Sequence, residues 1–427
     1  MSEWPLVKLG DLGEVNRGRS RHRPRYAEHL YGGPYPFIQT GDIRESGGRI
    51  TSHKQTYSDA GLAQSRLWPA GTLCITIAAN IAETAILTYP ACFPDSVVGF
   101  IADPTKCDVY FVEYTFRYLR RHIQHEASGT VQDNINLATL DRLKFPLPPL
   151  REQQAIACVL GALDDKIELN RRRNRTLEAM ARAIFQSWFV DFDPVKAKAE
   201  GRTPPGLSPE LAALFPDRFD DFPLGPIPAG WRVGTLGEVA DNPRRGINAD
   251  EIKSGTPYIA LEHMPRRSIA LDDWTTADAI ESNKFEFKQG EILFGKLRPY
   301  FHKVGIAPVD GVCSTDILVI VPKQPEWFGF CAGHSSSDAI IQHCDRASTG
   351  TKMPRTNWND LARFEVVIPQ HEVAEVFTKH FKPMIDRIRQ GITESRTLAA
   401  LRDALLPKLI SGELRVPDAE RIVGRAT

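Results

Sequence analysis

The chain has 427 residues, 42% apolar and 25% charged, with 53 Lys and Arg against 53 Asp and Glu. That is an ordinary globular composition with material for two or more cores. A net charge of zero excludes a uniformly basic polyanion binder, so a nucleic acid would have to be met by local patches. The opening Met1-Ser2-Glu3-Trp4-Pro5 lacks a basic n-region and an apolar h-region, and the most apolar stretch, Thr72 to Ala82, is broken by Asn80 and then Glu83. A cytoplasmic protein with no membrane span is expected. Seven cysteines without a CxxC pair suit reduced thiols buried as small hydrophobes.

Residues 1 to about 150 carry short β-type runs between turn residues: Tyr35 to Ile38, Leu73 to Ile77, Thr84 to Thr88 and Val97 to Ile101. A helix, Val109 to His125, interrupts them. After the prolines Pro146, Pro148 and Pro149, small or apolar residues fall at alternating steps of four and three: Ile156, Leu160, Leu163, Ile167, Asn170, Asn174, Leu177, Ala181, Ile184 and Trp188. That spacing predicts a coiled-coil seam. Asp191 to Pro228 holds eight prolines and seven acids against four bases, which predicts an extended surface connector open to a protein partner.

From Trp231 the pattern begins again. Trp4, Leu9-Gly10-Asp11-Leu12 and Trp231, Leu236-Gly237-Glu238-Val239 share one spacing at an offset of 227 residues. Strand runs follow at Pro257 to Leu261, Glu291 to Phe294 and Asp316 to Val321, so the fold class is α+β with two mixed α/β domains. Shifting the first seam by 221 gives a second: Phe377, Phe381, Met384, Ile388, Gly391, Ser395, Leu398, Arg402, Leu405 and Leu409, with a kink expected at Pro383. If the two helices pair with centres aligned, Asn170 and Asn174 meet Gly391 and Ser395 in a polar layer that fixes register. Parallel and antiparallel pairing both bring these centres together.

Most catalytic patterns fail on physical grounds. Gly290 to Leu297 has phosphate-loop spacing, but Leu297 stands where a magnesium-holding hydroxyl belongs and Ile292-Leu293-Phe294 is a buried-strand run. Cys331, His334, His343 and Cys344 look superficially like zinc ligands, yet adjacent His343 and Cys344 would point apart on a helix. Asp164-Asp165-Lys166 reads as a solvated helix face. Asn242-Pro243-Arg244 lacks the sequel that would cradle a flipped base. No catalytic residue and no metal ligand is assigned.

The basic signals are stronger. Arg17, Arg19, Arg21, Arg23 and Arg25 alternate with no acid among them, and on extended chain they would share one face suited to phosphate. Arg244 and Arg245 hold the corresponding place in the second half, with Arg266 and Arg267 further on. Lys296, Arg298 and Tyr300 alternate in the same manner and offer a cationic, aromatic face. Each half ends in a small, polar glycine loop, one carrying Gly129, Thr130, Gln132 and Asn134, the other Thr349, Gly350, Thr351, Lys352 and Arg355. Such loops can approach a DNA backbone or groove edge.

Several motifs now stand in order: the two Trp-x4-Leu-Gly openings, Thr40-Gly41-Asp42-Ile43, Gly129-Thr130 with Asn134-Ile135-Asn136-Leu137, and Pro148-Pro149-Leu150-Arg151-Glu152-Gln153-Gln154. Ser187-Trp188-Phe189-Val190-Asp191-Phe192-Asp193-Pro194, Gly290 through Tyr300, and Leu406-Pro407-Lys408-Leu409-Ile410-Ser411-Gly412-Glu413-Leu414 complete the set. In these the chain resembles the specificity subunit of a type I restriction-modification system over nearly its whole length. One departure is His371-Glu372-Val373-Ala374, where the first helix has Arg-Glu-Gln-Gln.

The resemblance implies target recognition domains at 1–149 and 229–369, conserved coiled-coil helices at 150–190 and 370–415, a Pro-rich acidic linker at 191–228 and a C-terminal tail at 416–427. It implies an intramolecular antiparallel coiled coil that spaces the domains, each reading half of a split DNA target. Ile156 to Trp188 would span about 50 Å at the helical rise of ~1.5 Å per residue, enough for one or more DNA turns of ~34 Å. It adds Thr40 to the DNA-binding residues. It also implies double-stranded DNA, two methylation subunits and restriction subunits as partners, with S-adenosylmethionine, ATP and Mg used by those partners and no cofactor in this chain. The competing expectation is a non-catalytic coiled-coil adaptor that reads no sequence.

Overall fold

The structure, a computed structural model, describes residues 4–78, 81–128, 137–223, 225–278, 280–348 and 353–426. The chain divides into two bodies, Met1–Lys166 with Leu398–Thr427, and Ile167–Thr397. Each contains one α/β domain and portions of both long helices, Leu150–Phe189 and His371–Ser411.

In the first body the apolar runs form a five-stranded sheet in the order Gly13–Arg17, Val97–Ala102, Leu73–Thr76, Thr84–Leu87, Arg49–Ile50. Every pair is antiparallel except the last. Leu73–Thr76 and Thr84–Leu87 are buried at all positions because both sheet faces are covered. Leu73, Ile75, Val98 and Phe100 pack with Val112 and Phe116 of the helix Val109–Ser128, while Cys74, Ala85 and Val97 face Trp68 and Phe93. Gly99 is required there, since a Cβ would lie 2.6 Å from the Trp68 ring.

The second body repeats the topology. Ala240–Asp241, Ile317–Pro322, Ile292–Gly295 and Val304–Ile306 form an antiparallel sheet in the order of the first four strands above. A second five-stranded sheet, Gly246–Ile247, Lys284–Phe287, Gly311–Cys313, Pro257–Ile259 and Thr275–Thr276, has, among the described residues, only the pair Tyr31–Phe37 and Gln55–Tyr57 as its counterpart in the first body. The repeated Leu-Gly-acid motif is a short capped helix in both. The Lys8 N–H donates to Asp11 Oδ2 (3.0 Å) and the Thr235 N–H to Glu238 Oε1 (2.9 Å), so each acid closes its own first turn. Thr40-Gly41-Asp42 uses the same device, Gln39 N–H to Asp42 at 2.9 Å, and in the second body His263 Nδ1 accepts from Ala260 N–H instead.

The long helices pair antiparallel within each body. In the second, Phe377 lies 5.7 Å from Trp188 and 4.9 Å from Phe189, while Asn170 donates to Glu394 (2.9 Å) and Ser395 (3.3 Å). Asn174 packs on Gly391, where a Cβ would meet its Oδ1 at 2.8 Å. The polar layer and its register therefore stand as the seam spacing gives them, and the structure supplies the orientation that spacing left open. Pro383 sits on the exposed side of an unbroken helix. Burying a side chain such as Phe377 contributes about 1.5–3 kcal/mol, so the aromatic end of the pair holds more tightly than its polar centre.

Gln153 accounts for the motif that opens the first long helix. Its side chain accepts from Asp108 N–H (3.0 Å) and donates to the Pro148 carbonyl (2.9 Å), fastening the helix start to the domain before it. In the second helix Ala374 stands at the matching place, and Thr378 one turn later does the equivalent work, accepting from Gly329 N–H and donating to the Glu326 carbonyl.

Four expectations change. Asp164 is not a solvated residue: it accepts from Tyr114 Oη (2.8 Å), Arg117 Nη1 (2.9 Å) and Arg402 Nη1 (2.6 Å), with its side chain 13% exposed. Arg402, the charged position of the second seam, is its partner, and single-helix periodicity cannot see a pair 238 residues apart. The segment expected as an extended connector is folded, with helices Asp193–Ala199 and Pro209–Ala213, because Val195 and Phe215 bury themselves beside Trp188 and Trp231. Val416–Ala426 is a helix that buries Val416 and Ala419, so it is more than a tail. Cys158 is exposed, while the other six cysteines are buried. Among the described residues no helix is long and apolar enough to cross a membrane.

Candidate nucleic-acid interface

In each body the segment leaving the edge strand of the sheet carries arginines. In the first, Gly18 N–H donates to the Val97 carbonyl (2.8 Å) and Arg19 N–H to that of Phe93 (3.1 Å), so the segment lies against the turn before Val97–Ala102. Gly18 is obligatory, since a Cβ would come within 2.3 Å of the Pro94 oxygen. Gly18 and Ser20 are buried and Arg17, Arg19 and Arg21 exposed, as alternation requires; none of the three has a side-chain partner among the described residues. The alternation then ends. Arg23 turns back to donate to the carbonyls of Ser20 (2.7 Å) and His22 (2.8 Å), and Arg25 pairs with Asp95 at 3.0 Å. The shared face is thus three arginines wide, not five. Thr40 is the first helical residue after Gln39 and is half-buried.

In the second body, residues far apart in sequence come together. Leu297 bridges Arg355, with Thr356 N–H donating to the Lys296 carbonyl (3.0 Å) and Arg298 N–H to that of Pro354 (2.7 Å). Asp316 stands beside them: Lys296 N–H donates to its carbonyl (2.9 Å) and Arg355 Nη2 lies 2.9 Å from its carboxylate. Partial burial pulls the Lys296 ammonium below its ordinary pKa; Asp316 opposes that, while Arg355 and Arg244 reinforce it. Lys296 and Arg355 thus stand beside one carboxylate, with the charge of Arg244 felt at Lys296.

The extended Lys296-Arg298-Tyr300 face does not form. The strand ends at Gly295, Arg298 takes a left-handed backbone with φ of 50°, and Pro299–Phe301 is a 3-10 turn. Proline at the turn start imposes this shape. Arg298 turns toward the Phe301 ring at 5.8 Å, and Tyr300 remains exposed. Arg245 is withdrawn by an ion pair with half-buried Glu291, Arg266 lies over Phe301 at 4.1 Å, and Arg267 pairs with Asp338 at 2.9 Å. Gly129, Thr130, Gln132, Asn134, Thr349, Gly350, Thr351 and Lys352 lie outside the described residues.

The carboxylates Asp95 and Asp316 were missed. An offset of 221 residues relates them, as it relates the two seams, and that is the signal that could have found them. His334 shows why the zinc pattern misleads: it is fully buried between the rings of Phe185 (4.9 Å) and Phe330 (4.4 Å), and burial alone pushes its pKa down to about 3.

Residues 1–179 match the family described as type I restriction modification DNA specificity domain. The type I restriction enzyme MjaVIII specificity subunit of Methanocaldococcus jannaschii is 32% identical over 97% of this chain and 93% of its own length. The MjaIX specificity subunit of the same organism is 25% identical over 97% of this chain and 94% of its own, and the EcoDI specificity subunit of Escherichia coli 24% identical over 96% and 92%. A crystal structure of the type I restriction-modification S subunit from M. genitalium, 16% identical and covering 96% of both chains, superposes with a TM-score of 0.58 and shares the fold.

Proposed function

The chain belongs to the family of type I restriction enzyme specificity subunits, and from that premise we propose that it reads a bipartite DNA target, each α/β domain taking one half-site. In this reading residues 1–149 and 229–369 are the target recognition domains. The chain is non-catalytic: it docks two methylation subunits and, through the assembled enzyme, restriction subunits, which bring S-adenosylmethionine, ATP and Mg. Its working compartment is the cytoplasm.

The observation that carries the proposal is the repeated cationic end of the sheet. In one domain Arg17, Arg19 and Arg21 continue from the edge strand Gly13–Arg17; in the other Arg244 follows the matching edge strand Ala240–Asp241, Lys296 follows the interior strand Ile292–Gly295 at the same end of the sheet, and Arg355 is bridged beside it. On a chain of zero net charge, two such patches supply the phosphate contacts that position a reader.

Lys296→Ala in the assembled methyltransferase tests this. One lost phosphate contact should weaken binding to all duplexes and reduce the slope of log affinity against log salt by about 0.9. The triple variant of Arg17, Arg19 and Arg21 should reduce it by about 2.7. Unchanged affinity and slope in both would remove these residues from the interface.

A further inference from the structure

Each domain places an aspartate at the mouth of the same strand and gives it an arginine. Asp95 lies two residues before Val97–Ala102 and Asp316 immediately before Ile317–Pro322. Arg25 Nη2 is 3.0 Å from both carboxylate oxygens of Asp95, and Arg355 Nη2 is 2.9 Å from Asp316 Oδ1. The two arginines are not repeat equivalents. One closes the N-terminal arginine run and the other follows the second domain's glycine loop, so the same pairing is reached by two chain routes.

Stability does not explain the pairs. The arginines are 43% and 53% exposed in their side chains, and pairs this open contribute little to folding. Phosphate attraction does not explain them either, because a carboxylate among cations weakens it. What each pair fixes is orientation. Both arginines commit Nη2 to the carboxylate and leave Nε and Nη1 without a partner among the described residues. The carboxylates rest on anchored backbone: Asp316 N–H donates to Ser314 Oγ (3.2 Å) and Ser314 N–H to the Ile259 carbonyl (2.9 Å), while Val97 N–H donates to the Pro94 carbonyl (3.0 Å). The carboxylate spans too small an angle at Nη2 to take both its hydrogens, so the second Nη2–H stays free beside Nε–H or Nη1–H. The planar two-donor edge so formed is held in one direction and matches the O6 and N7 acceptors of guanine in the major groove.

We propose that Asp95 and Asp316 are positioning residues that brace Arg25 and Arg355, each to read a guanine in its own half-site. The proposal rests on the DNA-reading function above. It moves Arg355 from phosphate contact to base reading, gives Arg25 the matching role in the first domain, and leaves Arg17, Arg19, Arg21, Arg244 and Lys296 to the phosphates.

The test uses the chain assembled with its methylation subunits, and duplexes carrying the target read from the adenines it methylates, with each guanine replaced in turn. Asp316→Asn keeps the shape and removes the charge. It should lower discrimination at one guanine position of one half-site by roughly tenfold and leave the other half-site untouched. Arg355→Ala should lose the same discrimination, and the double variant should lose no more. Asp95→Asn and Arg25→Ala should act in the same way on the other half-site. Affinity rising equally for every duplex in Asp316→Asn would show the carboxylate to be a charge and nothing else, and would overturn the proposal. A half-site without guanine overturns it for that domain. If either Asn variant fails to fold, as its melting transition shows, Arg25→Ala and Arg355→Ala decide: unchanged discrimination overturns the proposal. A complex that binds all duplexes without preference would instead overturn the DNA-reading function itself.

Discussion

Asp164→Ala is expected to be among the most destabilising single substitutions in the first body. Its carboxylate accepts two charge-assisted bonds, from Arg117 and Arg402, and one from Tyr114. Bonds to charged groups are worth about 1.5–3 kcal/mol each and a neutral one ~1, a gross sum offset by the cost of burying the charges. Removing one partner of a buried ionic cluster costs about 3–5 kcal/mol, because the others remain buried without it. In a body of this size 1 kcal/mol moves the melting point by roughly 2–4 °C. A fall of roughly 6–20 °C in the corresponding calorimetric transition is therefore expected. Arg402→Ala should cost a similar amount, and the double variant less than the sum. Burial alone would raise the Asp164 pKa, but Arg117 and Arg402 outweigh it and hold the carboxyl below the usual range. Its stabilisation is thus full above the unfolded pKa of about 4 and lost as pH falls through the lower folded value. Asp164→Asn should blunt that acid loss. A cost under about 1 kcal/mol, or strict additivity with Arg402→Ala, would return Asp164 to the solvated role its sequence neighbours suggest.

Two further outcomes follow from buried polar groups in the second body. Asn174 Oδ1 is buried without a partner among the described residues, and Asn170 is fully buried, so Asn170→Leu with Asn174→Leu should raise the melting temperature while loosening register; a lower melting temperature contradicts a layer kept for specificity. His334 has a folded pKa of about 3 against ~6.5 unfolded. The unfolded chain takes up the proton first, so stability is complete above about pH 6.5 and declines toward pH 3 by at most ~1.4 kcal/mol per unit. His334→Leu should flatten that decline in a melting-temperature series, and identical slopes in both proteins would exclude His334 as its source.

The sequence reveals the frame of this protein because the frame obeys local rules. Alternating steps of four and three locate both helices, and the burial of Ile156, Leu160, Phe377 and Leu409 follows. Four-residue apolar runs locate the central strands. What sequence conceals depends on partners far along the chain. Asp164 looks solvated until Arg402 arrives from 238 residues away, and the acidic connector looks extended until Phe215 meets Trp188 and Trp231. The candidate interface is legible in the same measure. Arg17, Arg19 and Arg21 are exposed because the segment stays extended beside 93–97, whereas Lys296, Arg298 and Tyr300 diverge because Pro299 turns the chain. The joining of Lys296 to Arg355 has no local signature, since a bridge between Leu297 and Arg355 creates it.

The central claim is that this chain alone determines a split DNA address. Co-expressing it with the methylation subunits of its system in cells that lack other adenine methylation, then mapping every methylated adenine, tests that claim most directly. The expected result is one motif made of two specified half-sites separated by a spacer of fixed length and free sequence, changed in one half only when one domain is exchanged. A single uninterrupted motif, or methylation indifferent to exchange of either domain, would contradict it.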